Sequence, residues 1–308
     1  KKTIVLVATS GDTGGAVANG FLGVEGVEVV ILYPKGKVSP IQELQLTTCG
    51  QNIKALEIEG AFDDCQAIVK QAFMDEELND KMVLTSANSI NVSRWLPQQL
   101  YYFFAYQQWI KTRQEPPVIC VPSGNFGNIC AGILANASGL PVKHFIAATN
   151  SNDEIPKYFE SGQYAPQKAV ATISNAMDVG DPSNFVRILE IFQQNFPALK
   201  GKVSSVSISD EVTKETIAEV YHKTNYILDP HGAVAYRALA DYQAANSGNT
   251  GFILETAHPV KFPDVVEEVI GKKIPIPEDA KYLLGKEKIA VELPADFDAV
   301  KEWLLNSF

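Results

Sequence analysis

Cysteine, methionine and tryptophan are scarce in this chain, with four, three and three copies in 308 residues. Cys49, Cys65, Cys120 and Cys130 stand apart and form no C-x-x-C pair. That spacing excludes a zinc ribbon, a thioredoxin-type redox pair and a dense disulfide framework. Buried, reduced thiols in a cytoplasmic protein are expected instead. Positive charge is also in deficit, with 26 Lys+Arg against 36 Asp+Glu and a net charge of -10. Such a surface repels phosphate backbones and anionic lipid, which argues against a nucleic-acid or membrane partner. No apolar run approaches the ~18 residues that span a bilayer, and no signal peptide, internal repeat or low-complexity tract is visible. His144, His222 and His231 lack metal-ligand spacing and receive no site.

At about 150 residues per domain, the length predicts two domains. The chain alternates short β-rich runs with helical patterns. Thr3 to Ala8, Val27 to Tyr33, Ile53 to Ile58 and Met82 to Thr85 read as strands. Helices are expected at Gly14 to Leu22, after Ser39-Pro40, from Asp63 or Asp64 towards Met74, and from near Arg94 to Trp109. The Pro-Pro segment at 112–117 is the expected boundary, giving a smaller domain over 1–115 and a larger one over 116–308. A second series follows: strand Val118 to Val121, a helix from about Asn128, then strands Val142 to Ala148, Val203 to Ile208 and Phe252 to Glu255. A helix capped by Asp210, one after Pro230, Asp264 to Ile270 and Phe297 to Leu305 complete the pattern. Strands that are continuously apolar are buried on both faces. The fold class is therefore α/β, with two open, mainly parallel sheets flanked by helices.

Ligands in open α/β sheets bind beyond the carboxyl ends of strands. The loop Ser123-Gly124-Asn125-Phe126-Gly127-Asn128 lies at such an end. Glycine lets the backbone approach a ligand closely, and a helix start offers free N–H groups and about half a positive charge. The loop lacks both the Walker ending and the G-x-G-x-x-G spacing. It reads as a cradle for one phosphate, and the same composition also suits a tight structural turn. The loop around Ser10, Gly11, Asp12 and Thr13 has similar chemistry. Asn88, Ser89, Asn91 and Arg94 offer amides, a hydroxyl and a cation suited to an anionic small molecule. They also fit a turn with Ser93 as helix cap. Thr256, His258 and Lys261 follow a fourth strand end, where a threonine hydroxyl suits a heterocycle nitrogen. His258 beside Pro259 is more often a structural hydrogen bonder than an acid or base.

Seven motifs in register carry a resemblance: A-T-S-G-D-T-G, S-A-N-S-I-N-x-S-R, V-P-S-G-N-F-G-N, A-A-T-N, S-N-A-M-D, P-H-x-A-V-A-Y-R-A-L and T-A-H-P-x-K-F. Together they resemble the threonine synthases of the bacterial and fungal branch. The resemblance implies a fold-type II, tryptophan synthase β-like enzyme that uses pyridoxal 5'-phosphate (PLP). It implies conversion of O-phospho-L-homoserine and water to L-threonine and phosphate, by a monomer or homodimer. Carried over, Ser123, Gly124, Asn125, Phe126, Gly127 and Asn128 match the cradle for the PLP phosphate, and Thr256 the hydroxyl facing the pyridine nitrogen. Ser10, Gly11, Asp12 and Thr13 match the loop for the substrate carboxylate, with Asp12 organising it or facing the cofactor hydroxyl. Asn88, Ser89, Asn91, Arg94 and Lys261 are the candidates for the substrate phosphate.

One departure stands out. The family's Schiff-base lysine lies in an F-K-D-x-G-type motif upstream of the first loop, and the nine residues before Ser10 contain none. Lys1 enters a strand almost at once, which reads as a chain whose beginning has been removed. No catalytic residue is therefore expected within these residues, and the chain alone is expected to be inactive. The rival readings are a dehydratase or cysteine synthase of the same fold type, or a lysine-free anion-binding pseudoenzyme. Asp12 and the Ser174 to Asp178 stretch argue against the first pair.

Overall fold

The computed structural model of the chain describes residues 1–89 and 91–308. Ile90, inside the second motif, lies outside the described residues. The chain divides into two compact units, one formed by 1–88 with 275–308 and the other by 89–274.

The first unit opens with β1 (Thr3–Ala8), α1 (Asp12–Phe21), β2 (Val27–Pro34) and α2 (Pro40–Thr47). It continues through β3 (Ile53–Glu59), α3 (Phe62–Met74), α4 (Glu76–Lys81) and β4 (Val83–Ser86). With β9 (Val291–Pro294), which arrives from the chain's far end, all strands are parallel and lie in the order β4-β1-β2-β3-β9. Both sheet faces are covered, as continuous apolar strands require. Ile4, Leu6, Val30, Leu32 and Leu56 face α3, while Val5, Val7, Val29 and Ile31 face α1 and α2. Ser39 caps α2 with Pro40 at its first position, as the sequence predicts. At α3 the cap is Ala61, and the Asp64 carboxylate accepts from the Ala61 N–H at 2.7 Å.

The second unit holds α5 (Trp95–Trp109), β5 (Val118–Pro122), α6 (Gly127–Ala137), β6 (His144–Thr149) and α7 (Glu154–Ser161). Then follow α8 (Phe185–Ile191), α9 (Phe196–Lys202), β7 (Val203–Ser207), α10 (Asp210–Thr224), α11 (Pro230–Ala245), β8 (Gly251–Ile253) and α12 (Pro263–Ile270). Its parallel sheet has the order β7-β6-β5-β8. Ile119, Val121, Phe145 and Ala147 pack on one side with Tyr102 and Ile129. Val118, Cys120, Ile146 and Ala148 pack on the other with Val234 and Ala238 of α11. Ser209, not Asp210, caps α10 through a bond from the Val212 N–H.

The chain returns to the first unit with α13 (Glu278–Lys281), β9 (Val291–Pro294) and α14 (Phe297–Ser307). The expected boundary at 115/116 therefore moves to 88/89, and the last 34 residues change sides. Two packing facts explain the shift. The fully buried Tyr102 fits α5 against α6, where the ring fills the space a Cβ on Gly132 would take. β9 pairs with β3, and Val300 and Leu304 of α14 bury against α3.

Candidate functional site

Strand order picks out the candidate ligand loops. In the second unit β5 lies between β6 and β8, so the loops after β5 and β8 leave the sheet where its winding reverses. Such a switch point is where open α/β sheets bind ligands. The β5 loop is the Ser123–Asn128 segment, and the β8 loop carries Thr256.

The β5 loop is built to leave N–H groups free. The Ser123 N–H is spent on the Ala148 carbonyl (2.8 Å), and its hydroxyl donates to the Val121 carbonyl (2.9 Å). From Gly124 to Asn128, the N–H groups find no protein acceptor among the described residues. Phe126 turns the loop with φ 61°, a left-handed conformation that a non-glycine residue rarely adopts. Its ring is buried against Phe185, which holds that conformation in place. α6 begins at Gly127, so the dipole of that helix adds to the exposed donors. A Cβ on Gly124 would stand 2.6 Å from the Met177 Cα, and one on Gly127 2.8 Å from the Ser89 Cβ. The loop is thus a cradle of exposed N–H donors, and that donor set would fit the phosphate of PLP.

Side chains brace the cradle. Asn125 Oδ1 accepts from the Ser183 N–H (2.7 Å) and hydroxyl (2.9 Å), and its Nδ2 donates to Ser89 Oγ at 2.9 Å. Asn184, fully buried, donates to the Asn125 carbonyl (2.9 Å) and Ser89 Oγ (3.3 Å). Asn128 Oδ1 and its carbonyl both accept from the buried Tyr102 hydroxyl. Ser89 Oγ is thus held by the side chains of Asn125 and Asn184.

In the first unit, β1 lies between β2 and β4, so the loop holding Ser10, Gly11, Asp12 and Thr13 also leaves a switch point. Thr9 Oγ1 accepts from the Gly11 and Gly14 N–H groups (3.0 and 2.9 Å). Gly11 has φ 137°, and the buried Gln42 side chain occupies the space its Cβ would need. Gln42 Nε2 donates to Asp12 Oδ1 at 3.0 Å, so Asp12 is tied to the loop's own frame. Asn88 exchanges both side-chain groups with the Ala8 backbone (3.0 and 2.6 Å). Asn91 accepts from the Ser93 N–H, and Arg94 directly precedes α5 with its guanidinium largely desolvated. His258 Nδ1 accepts from the Val260 N–H at 3.1 Å, the structural role expected of it. Lys261 ends the single turn that His258 caps.

Several residues that shape these loops carry no site assignment from sequence: Thr9, Gln42, Asn150, Asn184 and His231. For Asn150 the signal was present in A-A-T-N and S-N-A-M-D. Its Nδ2 donates to Thr172 Oγ1 (2.8 Å) and Asp178 Oδ1 (2.9 Å), which pins the 172–178 loop to the end of β6. Burial raises the Asp178 carboxyl to about 6, against hydrogen bonds from Thr172 and Asn150 that pull it down.

The chain matches the family described as pyridoxal-phosphate dependent enzymes over residues 1–254, and the threonine synthase C-terminal family over 232–304. It is 48% identical to the threonine synthase of Serratia marcescens over 302 residues, covering 98% of this chain and 70% of that protein. The chain belongs to the threonine synthase family. Its fold superposes on the crystal structure of Escherichia coli threonine synthase with a TM-score of 0.93, at 46% identity, covering all of this chain and 71% of that one. A PLP-bound threonine synthase from Brucella melitensis matches with a TM-score of 0.88 at 34% identity, over 99% of this chain and 71% of that one. Family membership agrees with the PLP-dependent, two-sheet α/β reading. Among the described residues no helix is long and apolar enough to cross a membrane, and no group of His, Cys, Asp and Glu could hold a metal ion.

Proposed function

We propose that this chain carries the cofactor and substrate loops for converting O-phospho-L-homoserine and water to L-threonine and inorganic phosphate with PLP. The observation that carries this reading is the run of N–H groups from Gly124 to Asn128 without a protein acceptor among the described residues, in a chain of the threonine synthase family. Each hydrogen bond to a charged phosphate contributes about 1.5–3 kcal/mol. Bound PLP supplies an electron sink that acidifies the hydrogen on the substrate's Cα. Thr256 is assigned to the pyridine nitrogen. A hydroxyl there leaves that nitrogen largely unprotonated, so positioning of the phosphate leaving group carries more of the work.

Ser10, Gly11, Asp12 and Thr13 are assigned to the substrate carboxylate, which the first turn of α1 favours electrostatically. Ser89, Asn91, Arg94 and Lys261 are assigned to the substrate phosphate, where a guanidinium can bind two oxygens at once. Asn88 serves through its hold on Ala8, which sets where the first loop starts. In the net reaction the Cγ–O bond breaks and phosphate takes the electron pair. Water delivers its hydroxyl to Cβ and its remaining proton to phosphate, and one hydrogen moves from Cβ to Cγ.

Gly127→Asp tests the cradle, because it adds bulk beside Ser89 and negative charge among the donors. Pyridoxine 5'-phosphate is the probe, since it has no aldehyde to react with surface lysines. The wild-type chain should bind it, and the variant should bind at least about tenfold more weakly, as loss of one charged hydrogen bond already implies. Equal affinity of variant and wild type would overturn the assignment.

A further inference from the structure

His231 is a buried histidine that the reaction scheme leaves unused, yet it lies behind the cradle. It is 2% exposed, in the first turn of α11. Its Nε2 stands 3.2 Å from the Ala176 N–H, and its Nδ1 stands 2.7 Å from Asp229 Oδ1. The first contact decides the tautomer. An N–H donor faces Nε2, so that nitrogen holds a lone pair, and Nδ1 carries the proton donated to Asp229. Asp229 is fully buried and also caps α11, accepting from the His231 and Gly232 N–H groups at 2.9 and 3.2 Å. Glu255, directly before Thr256, hydrogen-bonds to Asp229 and lies over Gly232, where a Cβ would stand 2.3 Å from its Oε1. Two adjoining carboxyl groups share one proton more readily than they both ionise. Burial and the Asp229 charge accordingly raise Glu255 well above the usual carboxylate range.

The other end of this chain of contacts is the cradle. The Ala176 carbonyl and the Met177 Cα stand 2.9 and 2.6 Å from where a Gly124 Cβ would be. Whatever fixes Ala176 and Met177 therefore fixes the floor under Gly124, the first donor of the cradle. Asn150 and Asp178 hold this loop from one side, and His231 holds it from the other. The contacts run without a gap from Glu255 through Asp229, His231 and Ala176 to Gly124, all within the second unit.

We propose that His231, oriented by Asp229, is a positioning residue that sets the phosphate cradle by holding Ala176 against Gly124. The same run of contacts, through Asp229 and Glu255, ties the cradle to the strand end that carries Thr256. The proposal rests on the reading of the Ser123–Asn128 loop as a phosphate site, and the test separates the two.

Binding of pyridoxine 5'-phosphate is measured for wild type, His231→Phe and His231→Gln, together with the ³¹P resonance of the bound probe. Phe keeps the ring's bulk and removes the acceptor, so affinity should fall at least tenfold and the ³¹P signal should move. Gln can restore an acceptor to the Ala176 N–H and should recover part of both. Failure of the wild-type chain to bind would refute the cradle reading itself. Wild-type binding with equal affinity and an unmoved ³¹P signal in His231→Phe would overturn only the positioning role. The wild-type chain gives a check that needs no variant to fold. ¹⁵N spectra should show His231 protonated at Nδ1 and bare at Nε2, with the Ala176 amide protected from hydrogen exchange. A protonated Nε2, or free exchange at Ala176, would also overturn the proposal.

Discussion

His144 on β6 has its ring stacked on Tyr242 at 5.3 Å, and its Nε2 is 2.9 Å from Ser204 Oγ. Burial, helped by the nearby Lys202 charge, lowers its pKa to about 4. The folded state therefore resists protonation that the unfolded chain accepts near pH 6.5. The contribution to stability is full above about pH 6.5 and is lost as pH falls towards 4. Asp178, raised to about 6, works in the opposite direction over the same window. Its contribution is full below the unfolded value near 4 and is lost as pH rises through 6. The informative quantity is thus the difference between wild type and His144→Phe in urea unfolding between pH 4 and 7. The wild type should lose stability on acidification relative to the variant, and parallel curves would refute the assignment. Single residues were unevenly legible in sequence. Ser39 as a cap followed from a local pattern, whereas His231 took its meaning from Ala176 and Asp229, of which only Asp229 is a near neighbour in sequence.

At the scale of elements, glycine separates what a helix prefers from what its neighbours allow. Gly20 in α1 has open space where a Cβ would go, whereas on Gly132 in α6 it would lie 2.4 Å from the Tyr102 ring. Gly20→Ala should stabilise by roughly 0.5–1 kcal/mol, because alanine loses less backbone entropy in a helix. The same substitution at Gly132 gains that term and meets overpacking of typically 1–3 kcal/mol, for a net loss of about 1–2 kcal/mol. Chemical unfolding of the two variants should move in opposite directions. Tyr102 also holds Asn128, so Gly132→Ala should weaken pyridoxine 5'-phosphate binding as well. Element type and order were readable because continuous apolar strands and capped helices leave strong local patterns. The short helices α4, α7, α8, α9 and α13 escaped that reading, since runs of four to eight residues carry little periodicity.

At the scale of the whole molecule, the last residues complete the sheet formed by the first. Lys288 stands 2.7 Å from Glu57 Oε1 and 2.8 Å from Glu43 Oε1, with the Glu57 side chain 2% exposed. Glu57 Oε2 has no hydrogen-bond partner among the described residues, so Lys288 is the main compensation for the buried carboxylate. Lys288→Met should destabilise by about 2–3 kcal/mol. That is somewhat below the usual loss for a broken buried pair, because the lysine is partly open to solvent. Adding Glu57→Gln should return part of the loss, and a double variant no more stable than the single one would refute the pairing. Lys35, paired with Glu59 and Glu292 at the surface, should contribute far less by the same measurement.

The sequence by itself determined the α/β class, the strand-end loops and the family, because each depends on local patterning or on motifs kept in order. It placed the domain boundary by composition, at the Pro-Pro segment, and tertiary packing moved it. α5 turned to α6 through Tyr102 and Gly132, and β9 crossed back to β3, both pairings between residues distant in the chain. The cradle's glycines were visible as glycines. That Ser89, Asn184 and Tyr102 brace them, and that His231 stands behind Ala176, was decided only by folding. A side chain's partner across space leaves no spacing for a single sequence to display.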